Sequence, residues 1–252
     1  MSIPISVVIN TYNAEKHLKE VLESAKDLDE IVICDMYSED NTIKIAEQYN
    51  CRIILHERTG FVEPARNFAI SQAKNEWVLL LDADETVNIE LIQYLRKIAI
   101  EKPEISCIAI PRKNYFLGRF MHSAYPDYVY RFFKKDKIYW PEFIHSMPKI
   151  EGNIFKIDKN QKSLAMEHLA NDSISAIENK NNIYSTAELP KRQHKKTTTF
   201  KLLFSPFAWF FKYYFIKQGF RDGKAGFIFA VLKAQYKFLT LAKLIEHKNK
   251  NA

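Results

Sequence analysis

From Ile5 to Ile100 the chain alternates short β-branched runs with stretches whose apolar residues recur every three or four positions. Ile5-Ser6-Val7-Val8-Ile9 is the first run, and Leu18, Val21, Leu22 and Ala25 mark a helix over 14–25. Glu30 to Cys34, Arg52 to Leu55 and Trp77 to Leu81 read as three further strands. Helices are predicted over 43–49, behind the capping-rich Ser38-Glu39-Asp40-Asn41-Thr42, over 64–74, and over 89–100 with Asn88 as cap. Strands this apolar need cover on both faces, so the pattern predicts an α/β fold, a mostly parallel sheet flanked by helices. Ligands of such sheets bind beyond the carboxyl ends of the strands. That rule singles out 10–13, 35–41, 57–67 and 82–85, all largely polar.

Beyond residue 104 the pattern loosens. Residues 105–170 are rich in aromatics, with a clear strand over 105–111, and 171–190 read as helical. The Lys/Thr-rich stretch from Lys191 to Thr199 is the expected boundary, giving a body over 1–190 and a tail over 191–252. Charge divides at the same place. In the tail fourteen Lys and Arg face two acidic residues, Asp222 and Glu246, a net +12; the body therefore carries −5 of the total +7. An apolar share of 47% excludes wholesale disorder. Cys34, Cys51 and Cys107 lie in or beside apolar runs and fit buried thiols of a reduced compartment. Neither a basic-then-apolar leader nor an apolar run of about 20 residues occurs, so a cytoplasmic body is expected.

The sharpest local feature is Leu79-Leu80-Leu81-Asp82-Ala83-Asp84-Glu85, an apolar strand that delivers three carboxylates within four residues. Alternation along an extended segment puts Asp82 and Asp84 on one side. Such a pair suits Mg²⁺ or Mn²⁺, which takes one or two carboxylates and completes its shell with phosphates and water; a capped turn is the plainer alternative. Asp35, after its own strand, suits a nucleobase amide or a ribose hydroxyl, or is an ordinary loop aspartate. Arg66, near a helix start, suits phosphate or a nucleotide edge, or a surface ion pair.

Together these residues resemble the family 2 glycosyltransferases of GT-A (Rossmann-like) fold. The matching pieces are Ser6-Val7-Val8-Ile9-Asn10-Thr11-Tyr12-Asn13, Asp35 with Ser38 to Thr42, Pro64-Ala65-Arg66-Asn67-Phe68-Ala69-Ile70, and Leu81 to Glu85. Tyr125 to Phe133, Trp140, Ile144-His145, His168 and Phe215 to Gly223 further resemble the branch that builds lipopolysaccharide cores. The resemblance implies an inverting glycosyltransferase using a nucleoside-diphosphate sugar, a UDP-sugar, with a glycan or lipid-linked acceptor. It makes 1–104 the nucleotide-sugar half and 105–190 the acceptor half. Thr11, Tyr12, Asn13 and Asp35 would line the nucleoside pocket, Arg66 would support the nucleotide, and Arg131 would hold the leaving diphosphate or form an ion pair at the edge of the core. Asp82 would sit by ribose and metal, and Asp84 would ligate Mg²⁺ or Mn²⁺. One position departs from the branch: Ser146 stands where a Glu follows the His matched by His145. The base that deprotonates the acceptor is therefore Asp127, Glu142 or His145. A sugar nucleotidyltransferase is the rival enzyme, but 10–14 lacks the Gly-rich loop such enzymes carry. A nucleotide-sugar-binding accessory protein without a base is the non-enzymatic alternative.

The tail interleaves Phe200, Phe204, Phe207, Trp209, Phe210 and Phe211 with Lys201, Lys212, Lys217, Arg221 and Lys224. Aromatic and basic side chains on amphipathic helices suit an anionic membrane surface, here the inner face of the cytoplasmic membrane. Packing of these aromatics on the catalytic domain is the plainer alternative, and no nucleic-acid motif accompanies them. Gly219, Gly223 and Gly226 are expected to break the tail into helices.

Overall fold

In the computed structural model, residues 3–58, 62–141, 147–170, 173–192, 194 and 197–250 are described. They divide into two compact units, one of residues 1–113 and 126–169, the other of 114–125 and 170–252.

The first unit opens with β1 (Ile5–Thr11), α1 (Leu18–Ala25), β2 (Glu30–Asp35), α2 (Thr42–Ala46), β3 (Arg52–Leu55), α3 (Glu63–Ser71) and β4 (Trp77–Asp82). There follow β5 (Glu85–Thr86), α4 (Ile89–Glu101) and β6 (Ile105–Phe116), a strand that runs on into the second unit and pairs there with β7 (Arg119–Phe120). Then come β8 (Asp127–Lys134), β9 (Ile138–Tyr139), β10 (Lys149–Ile150), β11 (Asn153–Lys156) and β12 (Met166–His168). The main sheet has the order β3-β2-β1-β4-β8-β6-β12-β5. β3, β2, β1 and β4 are parallel, and β8 enters antiparallel between β4 and β6. This is the GT-A architecture.

Alternation along the strands splits the core. Ile5, Val7, Ile9, Leu79 and Leu81 pack with Val21 and Leu22 of α1 and Leu91, Leu95 and Ile98 of α4. Val8, Val32, Cys34, Val78 and Leu80 pack on the opposite face with Ala69 and Ile70 of α3. Each fully buried aliphatic side chain stabilises by about 1.5–3 kcal/mol. Asn88 caps α4 as expected, its Oδ1 accepting from Leu91 N at 2.8 Å. α1 begins four residues later than its apolar period suggests, because 15–17 form a turn.

The second unit holds α5 (Ile174–Ala187), α6 (Leu189–Arg192), α7 (Thr199–Phe211), a π-helical turn over Lys212–Ile216, a 3₁₀ turn over Gly219–Asp222, and α8 (Gly223–Lys250). The helix expected over 171–190 thus groups with the tail and not with the sheet. Asp222 organises the unit. Its buried carboxylate accepts from His122 N and Nδ1, both at 2.8 Å, and from Ser123 N and Oγ at 3.0 and 2.7 Å. Of the three tail glycines, Gly223 starts α8 at φ +60°, while Gly226 lies inside that helix. A Cβ at Gly226 would fall 1.9 Å from the Gly219 carbonyl oxygen, so close backbone contact, not helix breaking, requires glycine there. Phe200, Leu203, Phe204, Phe207, Phe211 and Phe215 are exposed at helical spacing. No helix among the described residues is long and apolar enough to cross a membrane.

Candidate functional site

The carboxyl ends of β1 and β2 are fastened together through side chains. Asp35 is fully buried; its Oδ1 accepts from Thr11 Oγ1 at 2.7 Å and Ser38 Oγ at 2.6 Å, and its Oδ2 from Ser38 N at 2.8 Å. Asn13 donates its N–H to Ser38 Oγ and accepts from Glu39 N, both at 2.9 Å. Asn13 and Tyr37 hold φ of 47° and 59°, a left-handed conformation that costs a non-glycine residue roughly 1 kcal/mol or more. Beside them Arg58 lies 3.8 Å over the Tyr12 ring and donates to its hydroxyl at 2.8 Å. The sequence reading gave Arg58 no part, since nothing local distinguishes it from a solvated arginine.

Beyond β4 the acidic motif meets three arginines. Arg66 of α3 donates to Asp82 Oδ1 at 2.9 Å, and Arg131 of β8 bridges Asp82 Oδ2 and, at 2.9 Å, Glu85 Oε1. Arg112 of β6 reaches the same Glu85 oxygen at 2.5 Å and Asp127 Oδ2 at 3.1 and 2.5 Å. The Asp82 N–H donates to Glu85 Oε2 at 3.0 Å, and Glu85 is wholly enclosed. Burial alone would raise the Asp82 carboxyl. Arg131, Arg66 and Arg112 reverse that and hold it well below the usual carboxylate range. The same carboxylates overcome the burial of Arg131 and Arg112 and push both guanidinium pKa values up.

Asp84 takes a separate path. Its Oδ2 lies 3.3 Å from His168 Nε2, and its backbone carbonyl accepts from Leu169 N at 2.7 Å. The antiparallel pairing of β12 with β5, His168 opposite Glu85, delivers the imidazole. Burial pushes the Asp84 carboxyl up, but the hydrogen bond and charge of His168 outweigh it and the net shift is downward. Among the described residues no cluster of three or more His, Cys, Asp or Glu is arranged to hold a metal.

The structure thus brings Arg66, Asp82, Arg131 and Asp127 into one ion-pair lattice, with Asp84 at its edge, Thr11 and Asp35 at the ends of β1 and β2, and Tyr12 and Asn13 on the loop after β1. Glu142 and His145, along with Ser146, lie outside the described residues. Asn67 grips the backbone of Trp140, donating to its carbonyl at 2.7 Å and accepting its N–H at 2.9 Å. Glu85 and Arg112 were missed as site members. Arg112 follows directly on the apolar strand run, whose strand continues to Phe116, and charge complementarity to the acidic motif was the available signal.

The family model described as Glycosyl transferase family 2 matches residues 6–162. An uncharacterized glycosyltransferase of Rickettsia felis is 29% identical, covering 98% of this chain and 92% of its own length. The lipopolysaccharide core biosynthesis glycosyltransferase LpsC of Rhizobium meliloti is 28% identical, covering 97% of this chain and 93% of its own. Among solved structures, that of S. aureus TarS 1–349 aligns with a TM-score of 0.51 at 18% identity, covering 99% of this chain and 92% of that one.

Proposed function

The chain belongs to glycosyl transferase family 2 and is a glycosyltransferase; we propose that it moves a sugar, with inversion, from a UDP-sugar to a glycan or lipid-linked acceptor of the bacterial cell surface. The observation that carries this reading is the lattice Arg66–Asp82–Arg131–Glu85–Arg112–Asp127, which places cations and carboxylates together beyond β4. That LpsC is named for lipopolysaccharide core synthesis and that TarS has been crystallised with UDP supports the acceptor and the donor.

The residues fit a divalent ion. Asp84 and His168 are each partly exposed and supply a carboxylate oxygen and an imidazole nitrogen, a donor set that suits Mn²⁺ and, less closely, Mg²⁺. Asp82, expected from sequence as a second ligand, is engaged by Arg66 and Arg131, so we assign the ion to Asp84 and His168. When bound, it supplies charge neutralisation to the departing diphosphate. Arg131 and Arg66 add fixed positive charge beside it. Asp127, held by Arg112, is the base candidate within the described residues; Glu142 and His145 are the others. That base takes the proton of the acceptor hydroxyl as the sugar transfers.

The second unit holds the enzyme to the inner face of the cytoplasmic membrane. Its exposed aromatic ridge on α7 enters the headgroup boundary, and each neighbouring Lys or Arg contributes about 1 kcal/mol against anionic lipid. The test of the catalytic reading is transfer by purified protein across a panel of UDP-sugars with Mn²⁺. Asp84→Ala should abolish it while the fold persists; unchanged turnover would overturn the assignment.

A further inference from the structure

We infer that Asn10 is a donor-recognition residue whose side-chain amide contacts the nucleoside of the bound nucleotide sugar. The inference rests on the proposed donor reading and adds a residue to it.

Asn10 is 6% exposed; among the described residues no hydrogen bond of ordinary geometry reaches its Oδ1 or Nδ2, and the Cys34 thiol beside it is only a weak partner. An amide oxygen and two N–H groups can make several hydrogen bonds. Burying them unpaired is costly, whereas replacing a polar group by an apolar one of the same shape is close to neutral or stabilising. Val8, two residues earlier on the same face, is an ordinary core residue. An aliphatic side chain at position 10 would extend that core without penalty.

The register says where the amide lies. Asn10 pairs with Cys34 of β2 on one side and with Asp82 of β4 on the other. Side-chain alternation puts Val8, Val78 and Leu80 on the α3 face, and therefore Asn10 and Asp82 too. Asp82, a third exposed and ion-paired to Arg66, puts solvent-reachable polar surface on the strand beside Asn10. The chain supplies cations to Asp82 on that face and offers the amide only the Cys34 thiol, a weak hydrogen-bonding partner. A ligand group that carries an acceptor and a donor side by side, as a nucleobase edge or a ribose diol does, completes it.

The experiment separates fold from recognition. Thermal unfolding and calorimetric titration with UDP and Mn²⁺ are run on wild type, Asn10→Leu and Asn10→Ala. If Asn10 serves the donor, Asn10→Leu keeps or raises Tm, by a few degrees at most, while UDP binds about tenfold weaker, one lost contact of ordinary strength. Asn10→Ala loses the same affinity despite its smaller volume. Titrations with 2′-deoxy-UDP and CDP identify the contact: the ribose if the Asn10→Leu penalty vanishes for the deoxy compound, the base if it vanishes for CDP. Equal UDP affinity in wild type and Asn10→Leu overturns the inference. So does a variant pair that loses Tm and affinity in step, because the amide then supports the fold alone. Wild type that binds no nucleotide overturns the donor reading itself, a result distinct from both.

Discussion

His168 Nε2 stands 3.3 Å from Asp84 Oδ2, a contact made across the β5–β12 pairing between residues 84 positions apart. If the pair holds the ion, His168→Ala should raise the Mn²⁺ concentration for half-maximal transfer by about 10–100-fold. Asp84→Ala should leave no measurable transfer at any Mn²⁺ concentration. Metal titration of initial rates checks both, and an unshifted His168→Ala curve would remove the imidazole from the site.

Glu85 is enclosed and answers two guanidinium groups at once. Glu85→Gln leaves Arg112 and Arg131 with less compensating charge in the interior. The expected loss is about 3–5 kcal/mol, since removing one member of a buried ion cluster strands the others. The urea midpoint reads this directly. A change under 1 kcal/mol would mean that solvent reaches the cluster freely.

Asp222 makes stability depend on acid. Burial pushes its carboxyl up, but the hydrogen bonds from Ser123 and His122 outweigh that and hold it below its ordinary value. A depressed folded value means that the contribution is fully present above the unfolded pKa, about 3.9, and disappears as pH falls through the folded one. Asp222→Asn should therefore destabilise at pH 7 by roughly 1.5–3 kcal/mol, with the gap to wild type closing below about pH 4. Chemical denaturation at pH 7 and pH 3 tests it; a constant gap counts against the charge. His122 is the ionisable group facing this carboxylate.

Burial pushes the Cys34 thiol up to about 11 and that of Cys107 up to about 12. Both should resist iodoacetamide at pH 8 while folded and react in urea, because the thiolate is the nucleophile. Peptide mass spectrometry would show it. Rapid labelling of native Cys107 would contradict the burial of β6.

The ridge on α7 predicts sedimentation with anionic liposomes that weakens as salt is raised. Phe207→Asp, at the most exposed of these aromatics (73%), should cut the bound fraction several-fold, and truncation after Pro190 should abolish it. Equal sedimentation of the truncated protein would place the contact elsewhere.

Much of the first unit was legible because apolar period decides it: the runs over 5–9, 30–34 and 77–81 fall within β1, β2 and β4. The acidic motif was equally plain. Its partners were not, since Arg112, Arg131 and His168 arrive through strands β6, β8 and β12, and sequence spacing says nothing about which strand lies beside β4. Asp82 illustrates the cost. Two carboxylates on one side of a strand suggest a shared ion, but Arg66 and Arg131, each distant in sequence, take up Asp82. Gly226 misled for a related reason: its nearest contact is the carbonyl of Gly219, which only the fold of the tail brings near.

The cross-fastening of the loops after β1 and β2 bears on the thermodynamics of whatever settles above them. Fixing a flexible backbone costs about 1–2 kcal/mol per residue, and for Thr11, Asn13, Asp35 and Ser38 that entropy was surrendered when the chain folded. A newcomer to this rim meets a mould that has already set, and its association should show little of the entropic penalty that accompanies loop ordering.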